Sequence, residues 1–361
     1  MDIAIVGAGL AGLSAAYDLV RAGLRPTVFD AAAEPGGQIR TRRVRGFLIE
    51  DGAEGFAAAD QTVPALCREL GITGQIIPQL QTRALIYRGG VLSDLPQREA
   101  ATLVGIPTPE SGPPGISTLH EGMGTLITAL VGAIRGTADL RLSHPAREIT
   151  RHDGRWQMAF SDGRSEFADA LILAVTPPAA ADLLATHDPE TATLLNAIAM
   201  HSNLSVSLAF ARAHVAHSLA ASGLVVAPGE QAVNGLRACV FSSSKFAGRA
   251  PASAALLRAF FRPGKDQLQD PDRDWVNRAT DILARILRIS SRPAGYWVSR
   301  WPDAIPDVAE DQQKLLSRLA LRVPGSGRVV LAGSAYGPGG IPGAVLSGRG
   351  AAEQLTKSLP A

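Results

Sequence analysis

Cysteine and histidine are scarce in this sequence, so neither a disulfide-linked site nor a metal site is indicated. The 361 residues include 2 cysteines and 7 histidines. Cys67 and Cys239 each lie in an apolar segment, so both are predicted to be small buried side chains in a reducing compartment. His214 and His217 are the one close pair of histidines, and without a third ligand nearby they do not predict a metal site.

Long apolar runs and clusters of one charge are also missing. The most apolar stretch, residues 170–181, is interrupted by two prolines and is shorter than the ~20 residues that a membrane-spanning helix needs. The formal net charge is +2, and the arginine-rich stretch at 40–45 alternates along a predicted strand. Neither a transmembrane segment nor nucleic-acid binding is therefore indicated. Because the first predicted strand starts at residue 3, we expect no targeting peptide and a cytoplasmic location.

The most informative stretch is at the start of the chain. An apolar strand at residues 3–6 runs into a turn with Gly7, Gly9 and Gly12, and apolar residues then recur at helical spacing. A second short strand leads to Asp30. This is the pattern of a dinucleotide-binding βαβ unit, in which the glycines admit a tight turn, a pyrophosphate and close helix packing. Asp30 is predicted to accept hydrogen bonds from a ribose and to repel a 2′-phosphate, which excludes an NADP-type nucleotide.

A second glycine pair favours FAD over NAD. Gly36 and Gly37 follow the acidic residue closely, and Arg40 comes soon after them. This segment is similar to the one that follows the βαβ unit in flavoprotein amine oxidases, where it contacts the FAD pyrophosphate and ribityl chain. A glycine-rich loop at 337–343 precedes the last predicted helix, and the amino end of such a helix stabilises an anion.

The order of predicted elements indicates an α/β fold with two domains. We expect a discontinuous Rossmann-like FAD-binding domain built from residues 1–75, 116–180 and 325–361. An α+β substrate domain with a mostly antiparallel sheet is expected from residues 76–115 and 181–324. Residues 96–115, rich in proline and glycine, are predicted to be a loop.

Nearly the whole chain resembles the FAD-dependent protoporphyrinogen and coproporphyrinogen oxidases of the amine oxidase superfamily. The segments that carry the resemblance are residues 6–13, 35–37, 46–56, 119–126, 241–251, 300–306, 332–336 and 340–342. The serine-rich segment 241–251 and the tryptophan segment 300–306 are the ones more particular to the porphyrinogen oxidases. The resemblance implies oxidation of a porphyrinogen to the porphyrin, with hydride passing to flavin N5, dioxygen as acceptor and hydrogen peroxide released.

The resemblance also implies a set of binding residues. Those implied to contact FAD are Gly7, Gly9, Leu10, Ala11, Gly12, Asp30, Gly36, Gly37, Arg40, Ala53, Glu54, Ala146, Gly333, Ser334, Gly340, Ile341, Pro342 and Val345. Arg83 matches an arginine that binds a propionate of the substrate, although a surface arginine at a strand edge is an equally good interpretation. No catalytic acid or base is identified.

Two departures from the family keep other functions open. A domain-sized helical segment that covers the substrate cavity in the family is missing between Pro107 and Ser117, and Ser334 stands where relatives usually have an amide or acidic residue. One alternative is an FAD-dependent amine oxidase or desaturase for another substrate, although Tyr336 is the one aromatic residue in the expected segment. Another is a weakly active FAD-binding subunit whose site is covered by a partner chain or a second copy.

Overall fold

The computed structural model describes residues 1–105, 112–307, 310–322 and 329–358. Its strands, in chain order, are β1 (Ile3–Val6), β2 (Thr27–Phe29), β3 (Thr41–Val44), β4 (Phe47–Glu50), β5 (Phe56–Ala57), β6 (Ile76–Pro78), β7 (Ala84–Arg88), β8 (Val91–Leu95), β9 (Ile116–Leu119), β10 (Asp139–Arg141), β11 (Ala146–His152), β12 (Arg155–Phe160), β13 (Ser165–Ala168), β14 (Ala170–Leu173), β15 (Met200–Ala211), β16 (Gly223–Val226), β17 (Leu236–Val240), β18 (Ala254–Phe261), β19 (Gly295–Pro306) and β20 (Val329–Leu331). The α-helices are α1 (Leu10–Arg21), α2 (Thr62–Glu69), α3 (Gln97–Leu103), α4 (Gly124–Ile134), α5 (Pro177–Leu184), α6 (Pro189–Asn196), α7 (Ser242–Lys245), α8 (Asp272–Leu287), α9 (Glu310–Arg322) and α10 (Gly340–Lys357).

A five-stranded parallel sheet joins distant parts of the chain. Its strand order is β10-β2-β1-β14-β20, and every neighbouring pair is parallel. The central strands β1 and β14 are buried along their whole length, as expected for a parallel sheet that is covered on both faces. Because the strands are parallel, their carboxyl ends meet at one edge, where such sheets bind ligands.

The two faces of this sheet bury separate apolar layers. On one face, Ile3 and Ile5 pack with the buried sides of α1, α4 and α10. On the other, Ala4 and Val6 pack with β11, β12, α5 and α6. Alternate residues of one strand thus serve opposite layers, because successive side chains of a strand point to opposite faces.

A seven-stranded sheet forms the second half of the structure. Its order is β19-β15-β18-β17-β16-β7-β8, and every pair is antiparallel except β16 with β7. Helix α8 lies on one face, where Trp275 and Leu283 are buried among side chains of the sheet. The division into two domains stays a prediction, and residue 325, where its last segment begins, lies outside the described residues.

Two local predictions are wrong. Residues 97–103 form α3 instead of a loop, because the run Gln-Arg-Glu-Ala-Ala favours a helix and outweighs the surrounding prolines; Pro107 and Pro109 lie outside the described residues. The strand expected over residues 40–45 ends at Val44, and a hairpin turn follows in which Arg45 and Gly46 have φ angles of 50° and 82°. Positive φ at both positions is the geometry of a tight two-residue turn.

Other features agree with the sequence or extend it. Cys67 and Cys239 are both buried, as predicted. Helices α5 and α6 were not predicted, although each begins with proline in its first turn, a position that suits proline. Within the described ranges, every helix is either too short or too polar to cross a bilayer.

Candidate functional site

The glycine turn after β1 lies at the carboxyl edge of the parallel sheet. Gly7 has a φ angle of 110°, and a Cβ atom there would stand 2.3 Å from the Ala174 carbonyl oxygen beyond β14. A Cβ on Gly12 would stand 1.9 Å from the Gly7 carbonyl oxygen. Only glycine fits at either position, so the turn brings the amino end of α1, with its unpaired N–H groups, to the sheet edge. Leu10 and Ala11 form the first turn of that helix and are buried.

The second glycine pair packs directly against this turn. The Gly36 N–H donates to the Ala8 carbonyl at 2.8 Å, and Gly9 pairs with Gly36 in an isolated parallel bridge. A Cβ on Gly37 would lie 3.2 Å from the Gly9 Cα. We call the backbone surface that Gly9 and Gly37 form together the glycine cradle. Its walls are bare backbone beside a helix amino end, an arrangement suited to a pyrophosphate.

Asp30 stands at one end of the cradle. Its carboxylate accepts hydrogen bonds from the N–H groups of Ala8 at 2.6 Å and Ala32 at 2.7 Å. Since a carboxylate can accept about four hydrogen bonds, it keeps acceptor capacity for ribose hydroxyls. Ala146 belongs to the same end, because the nearby His144 N–H donates to the Asp30 carbonyl at 2.8 Å.

The loop after β4 is hydrogen-bonded to the segment that follows the glycine pair. The Ala53 N–H donates to the carbonyl of Gln38 at 3.1 Å, directly after the glycine pair. The Asp51 N–H donates to the Arg40 carbonyl at 2.9 Å, while the side chain of Arg40 is on the exposed surface. The backbone therefore carries Ala53 and Glu54 to the cradle.

The segment between β20 and α10 closes the same edge of the sheet. The Gly333 N–H donates to the Ser347 hydroxyl at 3.0 Å, and Ser334 begins a short 3-10 helix. Helix α10 then starts at Gly340 with Pro342 in its first turn, and it packs on α1. Ile341 and Val345 point into the apolar core, so any contact they make with a ligand is through their backbone.

Arg83 stands apart from these residues. It precedes β7 in the seven-stranded sheet and pairs with Asp94 at 2.5 Å, with the two side chains 60% and 68% exposed. The structure thus brings the glycine, Asp30, Ala53, Glu54 and α10 segments to one edge and leaves Arg83 on an exposed strand pair.

Comparison with known proteins identifies the fold that holds this site. The description "Flavin containing amine oxidoreductase" belongs to a family model that matches residues 112–356, and an NAD(P)-binding Rossmann-like model matches residues 5–70. The chain belongs to the flavin-containing amine oxidoreductase family. It is an FAD-dependent oxidoreductase, which confirms the predicted cofactor, the α/β fold and the resemblance on which they rest.

The relatives within the family include porphyrinogen oxidases. The coproporphyrinogen III oxidase of Mycobacterium leprae is 25% identical over 449 residues, which cover 97% of each chain. That of Propionibacterium freudenreichii is 31% identical over 66% of this chain, and the match spans 44% of that enzyme. A proposed protoporphyrinogen oxidase from Exiguobacterium sp. 255-15 has the same fold, with a TM-score of 0.85 at 22% identity over 99% of both chains. A redesigned putrescine oxidase also shares the fold, with a TM-score of 0.73 at 15% identity and 99% coverage of both chains.

The bare backbone of the cradle fits FAD. A side chain at Gly9 would meet no protein atom closer than the Gly37 Cα, 3.9 Å from its Cβ, so the space there is kept free by the glycines rather than filled by the protein. The helix amino end and the remaining acceptor capacity of Asp30 match a pyrophosphate and a ribose.

A buried cluster of charges beside the FAD site was missed by the sequence reasoning. Lys245, Arg249 and Arg258 are buried, and all three come from the segment 245–258 next to the seven-stranded sheet. We call them the buried cations. They reach the loops around Asp51 and Leu119. Arg249 and Arg258 line a cavity of about 10 Å³ together with Glu50 and Glu54. The available signal was Arg258, a charged residue inside the otherwise apolar run Ala254–Phe261.

The two buried arginines are held by neutral oxygen atoms. The Arg258 guanidinium donates to the carbonyls of Asp51 at 2.7 Å and Gly52 at 2.8 Å, and to the hydroxyl of Ser205. Arg249 donates to the carbonyls of Leu119 at 3.0 Å and His120 at 2.9 Å. Burial lowers the pKa of both guanidinium groups against the opposing effect of nearby carboxylates.

The carboxyl groups of the cluster differ in charge state. Burial raises the pKa of Glu50 to about 7, although the Met123 N–H and the Thr41 hydroxyl donate to its carboxylate. Burial would also raise the pKa of Glu54, but Lys245 and Arg258 outweigh it and the pKa is lowered. Glu54 is therefore a carboxylate at neutral pH, whereas Glu50 titrates near neutrality.

Proposed function

We propose that this chain oxidises a porphyrinogen to the corresponding porphyrin, with dioxygen as the final acceptor and hydrogen peroxide as a product. The observation that carries the proposal is the end-to-end alignment with the M. leprae coproporphyrinogen III oxidase, which covers 97% of each chain. The backbone around the cradle supports it, since bare glycine backbone, a helix amino end and Asp30 lie together at the carboxyl edge of the parallel sheet.

The binding roles in this proposal follow the geometry of the cradle. The pyrophosphate would be held by Gly7, Gly9, Leu10 and Ala11 together with Gly36, Gly37 and Arg40, while Gly12 lets α1 pack close to the turn. The adenosine would be held by Asp30 and Ala146. The ribityl chain and the flavin ring would be held by Ala53, Glu54, Gly333, Ser334, Gly340, Ile341, Pro342 and Val345. Bound FAD supplies the two-electron acceptor. The chain positions the cofactor and provides charges around it.

This chain is shorter than its alignment with the M. leprae relative. The alignment with the M. leprae enzyme spans 449 residues, whereas this chain has 361. The relative therefore has insertions that this chain lacks, and the position expected for the largest one includes residues outside the described ranges. We propose that a tetrapyrrole binds in a more open site here, with Arg83 contacting one of its propionates.

The deciding experiment is an absorbance spectrum of the purified full chain, followed by a porphyrin-fluorescence assay. Coproporphyrinogen and protoporphyrinogen are supplied separately, and autoxidation is measured with the Gly9→Ala variant, whose added methyl group enters the cradle. A flavin spectrum with fluorescence gain above that variant supports the proposal. Bound flavin without fluorescence gain would reject it and direct a peroxide-release screen towards amines and desaturase substrates.

A further inference from the structure

Lys245 brings a buried ammonium group to Glu54, in the loop that is hydrogen-bonded to the segment after the glycine pair. Its side chain is 8% exposed, and its ammonium donates to the carboxylate of Glu54. An ammonium has three N–H donors, and within the described part of the chain Glu54 is the hydrogen-bond partner that the structure gives it. Burying a cation with unused donors is unfavourable, so those donors favour a group that the chain itself does not supply.

The binding mode proposed above directs the FAD ring towards this loop. With the adenosine at Asp30 and the pyrophosphate on the cradle, the ribityl chain and ring would extend away from Asp30, along the segment that follows the glycine pair. Gln38 follows the glycine pair, and its carbonyl accepts from Ala53 at 3.1 Å. The next residue, Glu54, is fixed by the Thr118 hydroxyl, which donates to its carbonyl at 2.7 Å.

The buried charged side chains next to this loop carry a net positive charge. The buried cations number three, against the carboxyl groups of Glu50, Asp51 and Glu54. Asp51 is already paired with Arg42 at 2.6 Å, and the pKa of Glu50 is raised to about 7, so at neutral pH a fraction of Glu50 carries no charge. Of the three cations, Arg249 and Arg258 direct their hydrogen bonds to carbonyls and hydroxyls. Lys245 is the one with most of its donors unused.

We propose that Lys245 stabilises the negative charge that the flavin ring gains on reduction, and that Glu54 positions the ammonium for this role. A ring that takes up two electrons and one proton gains one negative charge, and a cation in a site of low dielectric stabilises that charge strongly. Lys245 is held on one side by Glu54 and on another by the Phe246 ring, whose centroid lies 5.1 Å from the ammonium nitrogen. The role is independent of which substrate is oxidised.

The test is the midpoint reduction potential of the FAD-loaded full chain, measured by equilibration with reference dyes. Lys245→Met removes the cation and is expected to lower the potential by at least ~30 mV, which corresponds to a tenfold change for a two-electron couple. Lys245→Arg keeps the charge and should restore most of the potential. Lys265→Met, at a lysine whose side chain is 86% exposed, is the matched control and should leave the potential unchanged.

Glu54→Gln should change the reduction potential in the direction opposite to that of Lys245→Met. Removing the carboxylate leaves the ammonium uncompensated, so the potential should rise. Lys245→Met leaves the Glu54 carboxylate buried without its partner and could therefore fail to fold or to bind FAD. Glu54→Gln and the double variant Lys245→Met/Glu54→Gln have no such carboxylate. Their potentials test the proposal if Lys245→Met cannot be measured. If the FAD-loaded variants keep the wild-type reduction potential and only their free energy of unfolding changes, the pair of Lys245 with Glu54 has a purely structural role. That result would overturn the proposal. Because no substrate enters the measurement, its outcome is separate from that of the porphyrinogen assay.

Discussion

At the scale of single residues, Glu50 is a carboxyl group whose surroundings disfavour its charge. Its ordinary pKa of 4.5 is raised to about 7 by burial, against two hydrogen bonds that favour the carboxylate. The folded state therefore binds a proton between pH 4.5 and about 7 that the unfolded state has released. Stability from this group is present below pH 4.5 and is lost as the pH rises to about 7.

The variant Glu50→Gln should remove this dependence. The wild type should lose roughly 3 kcal/mol of stability from this group between acidic and alkaline conditions, because one pKa unit corresponds to about 1.4 kcal/mol. The free energy of unfolding of Glu50→Gln should therefore increase relative to that of the wild type by this amount as the pH rises. Urea unfolding at several pH values measures the difference. Glu99→Gln, at an exposed residue of α3, is the control, and a Glu50→Gln difference independent of pH would contradict the prediction.

Arg83 gives a second prediction at this scale. If it binds a substrate propionate, Arg83→Ala should raise KM about fivefold, since an exposed ion pair contributes up to ~1 kcal/mol. The flavin spectrum should not change. Asp94→Asn frees Arg83 from its partner and should lower KM. Arg88→Ala, at the exposed end of β7, should leave KM unchanged. An unchanged KM in the first two variants would remove Arg83 from the site.

At the scale of elements, two glycines of one turn have different tasks. Gly9 has φ −71° and ψ 179°, which any residue can adopt, and the nearest protein atom to its added Cβ would be 3.9 Å away. Gly12 has no such room, because its Cβ would lie 1.9 Å from a carbonyl oxygen. In the proposed site the first glycine leaves room for the ligand, whereas the second lets α1 pack against the turn that follows β1.

The variants Gly9→Ala and Gly12→Ala should therefore separate binding from stability. Gly9→Ala should weaken FAD binding at least tenfold while the apoprotein unfolds at the wild-type urea concentration. Gly12→Ala should destabilise the apoprotein by about 1–3 kcal/mol or more, the usual cost of forcing extra atoms into a packed site. FAD titration and urea unfolding of the two apoproteins measure this. Wild-type FAD affinity in Gly9→Ala would disprove the assignment of the cradle.

The same elements show how far the sequence could be interpreted. The glycine turn, Asp30 and the long helices α1 and α8 were predictable, because their signals are local glycine spacing and apolar periodicity. Helix α3 was missed because helix-forming residues stood beside prolines. The pair of Lys245 with Glu54 joins residues 191 positions apart, and no local pattern encodes such a contact.

At the scale of the whole molecule, the buried arginines tie the seven-stranded sheet to the loop after β4 and to the end of β9. Arg258 extends from β18 of the seven-stranded sheet to the carbonyls of Asp51 and Gly52, and Arg249 reaches Leu119. Separating the two halves would expose these cations and leave carbonyl groups unpaired. The cluster therefore couples the stability of one sheet to that of the other.

Thermal unfolding should accordingly occur in one transition. Because FAD binds the folded state, its midpoint should rise with FAD concentration, by the equivalent of ~2.7 kcal/mol at a hundredfold excess over Kd. Differential scanning calorimetry with and without FAD measures both properties. Two transitions, of which only one responds to FAD, would show that the halves unfold independently.

The sheet order also constrains how the protein is made. Strands β1 and β2 are synthesised before β20, which pairs with β14, and before α10, which packs on α1. Until residues 329–357 have been synthesised, α1 lacks the helix that covers it, and the proposed FAD site lacks its last segment. Full cofactor affinity should therefore appear only after α10 has been made, and the nascent chain exposes an incomplete apolar layer until then.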